Sequence, residues 1–299
     1  MARSASQFII AAAAAAGGGA LLWIAWSSLR PTRSASDGSA RSVADDGSAA
    51  AADGESVRAK ARRLLEWNPK DKHGNGPLGT AAKHGDVELC RALVDAGADL
   101  EATNKLLTTP MHWAASSGSR EVVELLAARG AVVTAPDKRR QTPLHWAAVN
   151  GCAAVIQCLC APPYSVNVEA LSAHGWSALH FATFAGKVDA VRVLADAGAN
   201  LEATDSDGAT PLHNAAAAGN AELVQLLAAR GANVEATDSD KWTALHRAAR
   251  HGHCAAVEVL VVGLRVDVNA RSIQGKTPGQ LAEEQGHGDV VAIIARARE

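Results

Sequence analysis

The chain has little net charge. Its 299 residues include 29 Lys and Arg against 31 Asp and Glu, which leaves a formal net charge of −2. Binding to bulk nucleic acid needs a concentrated basic surface that neutralises phosphates. The charge balance therefore argues against a nucleic-acid partner.

Cysteine is scarce and odd in number. The five cysteines are Cys90, Cys152, Cys158, Cys160 and Cys254. Because proteins of oxidising compartments use even, paired sets, we expect free thiols here. Helical spacing points the thiols of Cys158 and Cys160 to different faces, which argues against a zinc site.

The sequence also lacks the short motifs of common catalytic sites. It contains no Gly-rich phosphate loop, no nucleophile elbow and no metal-ligand pair with the usual spacing. We therefore expect no enzymatic activity, no cofactor, no metal and no small-molecule substrate.

A tetrapeptide, by contrast, recurs along most of the chain. It reads TPMH from Thr109, TPLH from Thr142, SALH from Ser177, TPLH from Thr210 and TALH from Thr243. The copies begin 33, 35, 33 and 33 positions apart. A period of this length indicates a solenoid of stacked units.

Each position of the motif has a physical role at the start of a helix. Thr or Ser suits the N-cap, Pro suits the first helical position, and Leu packs inward. His, three residues after the cap, lies close enough to bond to it. The motif residues assigned to structure are Thr109, His112, Thr142, His145, His180, Thr210, His213, Thr243 and His246.

Two helices follow from the remaining pattern of each unit. A pair of small residues comes after the motif, and a Gly such as Gly118 or Gly151 ends the first helix. A second apolar period of 3.6 residues follows, as in Val122–Leu126, and it is closed by another Gly. Each unit therefore reads as helix, turn, helix and hairpin-like loop.

Five copies in register resemble ankyrin-repeat proteins, which share this period and the cue T-P-L-H-x-A. The resemblance implies an all-α solenoid over residues 56–299, with about seven units and degenerate terminal ones. It also implies a protein–protein interaction scaffold or adaptor.

Two units depart from the pattern. Pro162 and Pro163 stand where other units have a closing Gly, which predicts a longer or bent connection over residues 161–168. The sixth unit carries one extra residue near Gly263.

In proteins of this kind, partner contacts come from the loop tips and from the exposed side of each first helix. The resemblance therefore implies contact residues at Lys105, Leu106, Arg139, Arg140, Gln141, His174, Trp176, Phe184, Asp207, Asp240, Trp242, Arg250 and His251. Exposed indoles are common hot spots, although Trp176 and Trp242 could instead cover the loop. Trp113, Trp146 and Phe181 are expected to pack between units.

The charges of the tips change sign along the array. Lys105, Lys138, Arg139 and Arg140 make the early tips basic, whereas Asp205, Asp207, Asp238 and Asp240 make the later tips acidic. We expect this gradient to orient a partner and to speed its encounter.

The first 55 residues differ from the array. Phe8–Trp26 has no charged residue and is long enough for a bilayer core, with Trp23 and Trp26 at one end. We interpret residues 1–30 as a single-pass anchor, residues 31–55 as a disordered linker, and the repeats as facing the cytosol because basic residues follow the segment. The alternatives are a cleaved leader, either secretory or organelle-targeting, and a soluble apolar helix. A role as accessory subunit of a membrane complex is a further alternative.

Overall fold

The computed structural model describes the backbone of residues 48–297 and the side chains of residues 57–297. The chain divides into two compact parts between Glu55 and Ser56, and the second part contains the repeats. The expected anchor Phe8–Trp26 lies outside the described residues. Among the helices of residues 48–297, none is both long and apolar enough to cross a membrane.

The described residues fold into helices and connecting turns, with no strand assigned between residues 48 and 297. A first helix, α1 (Ser48–Trp67), precedes a series of helix pairs. The pairs, numbered as units 1 to 7, are α2 (Pro77–His84) with α3 (Val87–Asp95), α4 (Pro110–Ser117) with α5 (Arg120–Ala128), α6 (Pro143–Asn150) with α7 (Ala153–Cys160), α8 (Ala178–Phe184) with α9 (Val188–Asp196), α10 (Pro211–Ala217) with α11 (Ala221–Ala229), α12 (Ala244–Arg250) with α13 (Cys254–Glu258), and α14 (Pro278–Glu284) with α15 (Gly288–Arg296).

Helix α1 begins at Ser48, inside the segment 31–55 that the sequence analysis assigned to a linker. Its start is rich in alanine, which has the highest intrinsic helix propensity. Further along, Ala61 is fully buried, and Leu64 and Leu65 pack against the core. This helix therefore covers apolar surface at the N-terminal side of the array.

Successive helix pairs stack so that equivalent helices are adjacent. The first helix of each unit contacts the first helix of the next, from α2 to α14, and the second helices form a parallel series of contacts. Small side chains make this close approach possible, since Ala114, Ala115, Ala147 and Ala148 are all fully buried. The core thus runs through the whole array.

Turns end the helices where the sequence predicts them. Gly118 and Gly151 cap their helices in the left-handed conformation, with φ of 78° and 76°. Several second helices then begin at a polar N-cap, as at Asp86, whose carboxylate accepts from the N–H of Leu89 at 3.0 Å.

The two irregular units adapt locally. Helix α7 ends at Cys160, and a turn that contains Pro162 and Pro163 follows it, in agreement with the predicted connection. In unit 6, a five-residue π-helix, Val259–Gly263, continues α13. A π-turn holds one more residue than an α-turn, so it absorbs the insertion.

Candidate interaction surface

The motif histidine joins its own helix to the next unit. In unit 3, His145 Nδ1 accepts from the backbone N–H of Thr142 at 3.0 Å and from the Thr142 hydroxyl at 2.9 Å. On its other side, Nε2 donates to the carbonyl of Trp176 at 3.2 Å. The bond from the cap N–H to Nδ1 and the bond from Nε2 to a carbonyl of the next unit both recur at His112, His180, His213 and His246.

Burial lowers the pKa of each of these histidines, and that of His145 falls to about 4. The geometry acts in the same direction, because a proton on Nδ1 would face the Thr N–H that Nδ1 now accepts. These imidazoles are therefore neutral structural groups. Among the described residues, no group of three His, Cys, Asp or Glu side chains is arranged to hold a metal ion.

The cysteines are free thiols, as the sequence predicted. Burial raises the pKa of Cys90 to about 12 and that of Cys160 to about 11. Because the thiolate is the nucleophile and the metal ligand, such thiols are unreactive at neutral pH.

A small polar side chain closes each hairpin tip. We define a tip as the five residues that begin with this side chain and end just before the motif. In tip 3 (residues 137–141), Asp137 Oδ1 accepts from the N–H of Arg139 and of Gln141, both at 2.8 Å. Equivalent acceptors are Asp71, Asn104, Ser172, Asp205, Asp238 and Ser272.

This closure corrects the expected acidic edge. Asp238 is buried, its Oδ1 accepts from two backbone N–H groups, and its Oδ2 binds Arg247 at 2.5 Å. Asp205 also holds its tip closed. The prediction that Asp238 presents charge to a partner is wrong, because its carboxylate is needed inside the fold.

Neighbouring tips are tied to one another. The N–H of Lys138 donates to the carbonyl of Leu106 at 2.9 Å, and that of Ala173 donates to Arg139 at 2.8 Å. Further along, Ser239 donates to Asp207 at 3.0 Å. The tips are therefore held side by side, and their outward side chains have fixed neighbours.

The structure places the expected contact residues in two groups. Those with exposed side chains are Lys105, Leu106, Arg139, Arg140, His174, Phe184, Asp240 and His251, whereas Gln141, Trp176, Asp207, Trp242 and Arg250 are half-buried. The exposed members are basic and apolar in tips 2 and 3, and the one acidic member, Asp240, lies in tip 6. Their contact with a partner stays a prediction.

The two tip tryptophans cover the junction between a tip and its helix. Trp176 packs edge-on against Phe181 and Phe184, with ring centroids 5.2 and 5.3 Å apart. Trp242 stacks on His246 at 6.2 Å, and the Arg250 guanidinium lies 5.1 Å from its ring centre. Both tryptophans are half-buried.

The position after the motif histidine packs between units. Trp113 is buried and meets Trp146 edge-on, with ring centroids 5.1 Å apart. Its Nε1 donates to Asn75 at 2.9 Å, and Nε1 of Trp146 donates to Asp137 at 3.2 Å. These aromatic residues fill the array, as the sequence predicted.

Sequence reasoning missed one prominent exposed residue, Leu107. Its side chain is 52% exposed, and its backbone is left-handed with φ of 57°. Gly74, Gly175, Gly208 and Gly275 occupy the same place in four other tips, also with positive φ. The sequence did contain a signal for this residue, because a leucine stands where most other tips have glycine.

Comparison with known proteins agrees with this architecture. A family model for ankyrin repeats matches three times, at residues 48–137, 131–205 and 197–272. The chain belongs to the ankyrin-repeat family. No curated protein matches it.

A solved structure supports the same assignment. The fold is similar to the crystal structure of the ankyrin repeat domain of Bcl-3, a member of the IkappaB protein family, with a TM-score of 0.63 and 30% sequence identity. The match covers 75% of this chain and 100% of that one. Ankyrin repeats are protein-interaction modules and typically carry no enzymatic activity.

Proposed function

We propose that the chain is a scaffold or adaptor that binds another protein through its hairpin tips and the exposed side of its first helices. The observation that carries the proposal is that the side chains that hold a tip closed differ from those that face outward. Buried polar side chains such as Asp137 hold the backbone, whereas outward side chains such as Arg139 make no bond that the fold requires.

The rigidity of the tips favours recognition. Each is closed by side-chain bonds to its own backbone, and several are tied to the next tip. A surface that is ordered before binding loses less conformational entropy when a partner docks. The array therefore offers a preformed row of side chains.

Proximity labelling with the full chain tests this function. The variant Arg139→Glu with Asp240→Lys changes two exposed tips and leaves net charge unchanged. The matched control, Arg91→Glu with Glu222→Lys, makes the same exchange at exposed positions of the second helices. We expect the tip variant to lose neighbours that the control keeps; identical neighbours for both would overturn the proposal.

We also propose that Phe8–Trp26 tethers the array to a membrane, with the repeats in the cytosol. The support is the sequence alone: a charge-free apolar run, aromatic residues at its end, and more basic residues after it than before it. Carbonate extraction with N-terminal sequencing tests the tether. Soluble protein that begins after residue 30 would indicate a cleaved leader instead.

A further inference from the structure

Two adjacent tips form a patch that combines leucine with basic residues. Tip 2 contributes Lys105, Leu106 and Leu107, and tip 3 contributes Lys138, Arg139 and Arg140. The bond between the Lys138 N–H and the Leu106 carbonyl sets the two tips side by side. We call these six residues the Leu-basic patch.

Both leucines of the patch face solvent. Leu106 is 54% exposed and Leu107 is 52% exposed, and neither belongs to the hydrophobic core. Among the described residues, eight large apolar side chains are exposed, and Leu106 and Leu107 are the two that are consecutive in the chain. Burial of this pair by a partner would remove apolar area from water.

The four basic side chains are exposed and unneutralised. Within the described residues, none of them forms an ion pair. The carboxylate nearest in sequence, Asp137, is buried and accepts from the backbone N–H groups of Arg139 and Gln141 and from the indole N–H of Trp146. The patch therefore presents positive charge beside two leucines.

The backbone is strained at two of the six patch residues. Leu107 and Arg140 have φ of 57° and 59°, at the tip position that four other units fill with glycine. A left-handed non-glycine residue costs on the order of 1 kcal/mol. Lys241 in tip 6 shares this conformation, so the strain is a property of the turn: glycine satisfies it, and its backbone does not require the side chains of Leu107 and Arg140.

We propose that the Leu-basic patch docks an acidic segment of a partner protein, which packs a large apolar side chain against Leu106 and Leu107. This inference rests on the proposed interaction function and specifies the chemistry of one partner. The basic side chains attract the segment and orient it, and the leucines anchor it. An anionic membrane offers similar chemistry, but two leucines bury less than the single acyl chain that itself gives only marginal membrane binding.

Glycine substitutions separate binding from folding. Leu107→Gly and Arg140→Gly each remove one patch side chain and also relieve backbone strain, so both variants are expected to fold at least as stably as the parent. Lys241→Gly is the matched control, because Lys241 is also exposed, basic and left-handed, with φ of 56°, but lies in tip 6.

The probes are three fluorescent synthetic peptides: one rich in Asp and Glu with a central Leu, one with Ser in place of that Leu, and one with Lys in place of the acids. Fluorescence anisotropy with the full chain measures binding at low and high salt. We expect the acidic Leu peptide to bind best, and Leu107→Gly to weaken it about tenfold. Arg140→Gly is expected to weaken it several-fold and to reduce its salt dependence, and Lys241→Gly to change neither.

Several results would overturn the inference: no binding of the acidic Leu peptide, equal binding of the Lys peptide, unaltered affinity in both glycine variants, or binding to phosphatidylserine vesicles alone. Any of these, combined with neighbours lost by the Arg139→Glu and Asp240→Lys variant, leaves the interaction function standing. If that variant also keeps every neighbour, the interaction function fails as well.

Discussion

His145 shows what a single motif side chain contributes to the array. Its Nδ1 holds the start of its own helix, and its Nε2 reaches the carbonyl of Trp176 in the next unit. In unit 7, Gln280 stands at the histidine position and accepts from the N–H of Thr277 at 2.9 Å. Glutamine can therefore replace the capping half of the histidine role.

We predict that His145→Gln keeps the helix cap and loses the bond to the next unit. The free energy of unfolding at pH 7 should fall by about 1–2 kcal/mol, the usual cost of one buried hydrogen bond. Urea unfolding measures this change, and His251→Gln at an exposed position is the control. A fully unfolded variant would show that the cap itself depends on imidazole.

The lowered histidine pKa values predict acid sensitivity. Above the ordinary histidine pKa, near 6.5, both the folded and the unfolded chain hold neutral imidazoles. As the pH falls below that value, the unfolded chain takes up protons that the folded one resists, so stability falls. For His145, whose folded pKa is about 4, the loss approaches about 3 kcal/mol once the pH is below 4.

Urea unfolding between pH 7.5 and 4 tests the direction of this effect. The parent should lose stability steadily on the acid side, and His145→Gln should show a shallower loss because it lacks one of the titrating groups. Equal slopes for the two proteins would contradict the assignment of His145 as a neutral buried imidazole.

At the scale of elements, the sequence predicted the helices better than the tips. The N-caps, the closing glycines and the inward leucines follow from local chemistry, and the structure shows them at the expected positions, as at Thr142 and Gly151. The role of Asp238 could not be judged from one unit, because a surface acid and a buried acceptor look alike in sequence. Only the recurrence of a small polar residue five positions before each motif distinguishes them.

The π-helix in unit 6 was beyond local reasoning for another reason. The extra residue near Gly263 is visible in the spacing, but several ways of accommodating it are open to the backbone. Packing against neighbouring units fixes both ends of the helix, and Arg265 then takes the left-handed position that Gly231 occupies one unit earlier, with φ of 55° and 92°.

Turn glycines offer a prediction at this scale. At Gly219, φ is 71° and an added Cβ would lie 2.6 Å from the His253 ring; at Gly231, φ is 92° and nothing lies within 4 Å. Gly219→Ala and Gly231→Ala should both lose about 1 kcal/mol to backbone strain. Gly219→Ala should lose more, because His253 must move from its 3.0 Å bond to the Ala217 carbonyl.

Thermal unfolding of the two alanine variants measures the difference. Equal melting temperatures would mean that the His253 ring moves aside freely and that its bond to Ala217 contributes nothing. A lower melting temperature for Gly219→Ala than for Gly231→Ala would place His253 among the groups that couple neighbouring units.

At the scale of the whole array, the bonds between units follow one rule: each unit binds the next. The motif histidines do so along one line, and Glu101, Glu169, Glu202 and Glu235 do so along another, each accepting a backbone N–H at 2.7–2.8 Å from the unit that follows. Stability is then a sum of unit terms and nearest-neighbour terms.

This rule predicts the result of removing the last unit. Deletion of residues 274–299 takes away the Lys276 carbonyl, which accepts from His246 at 3.2 Å, and the buried side chains of Leu281, Val290 and Ile294. The lost apolar burial should lower the melting temperature by on the order of 10 °C. Backbone hydrogen exchange should rise most over residues 244–264.

Units 2 and 3, over residues 110–160, should keep their protection, because no contact of theirs is removed. Hydrogen exchange followed by mass spectrometry measures the profile along the chain. Deletion of residues 1–67 is the corresponding test at the other end, and its effect should concentrate in unit 1, the unit that follows α1 in the chain. A uniform rise over all units in either deletion would mean that the array unfolds as one cooperative block, and nearest-neighbour coupling would then be far stronger than the individual bonds suggest.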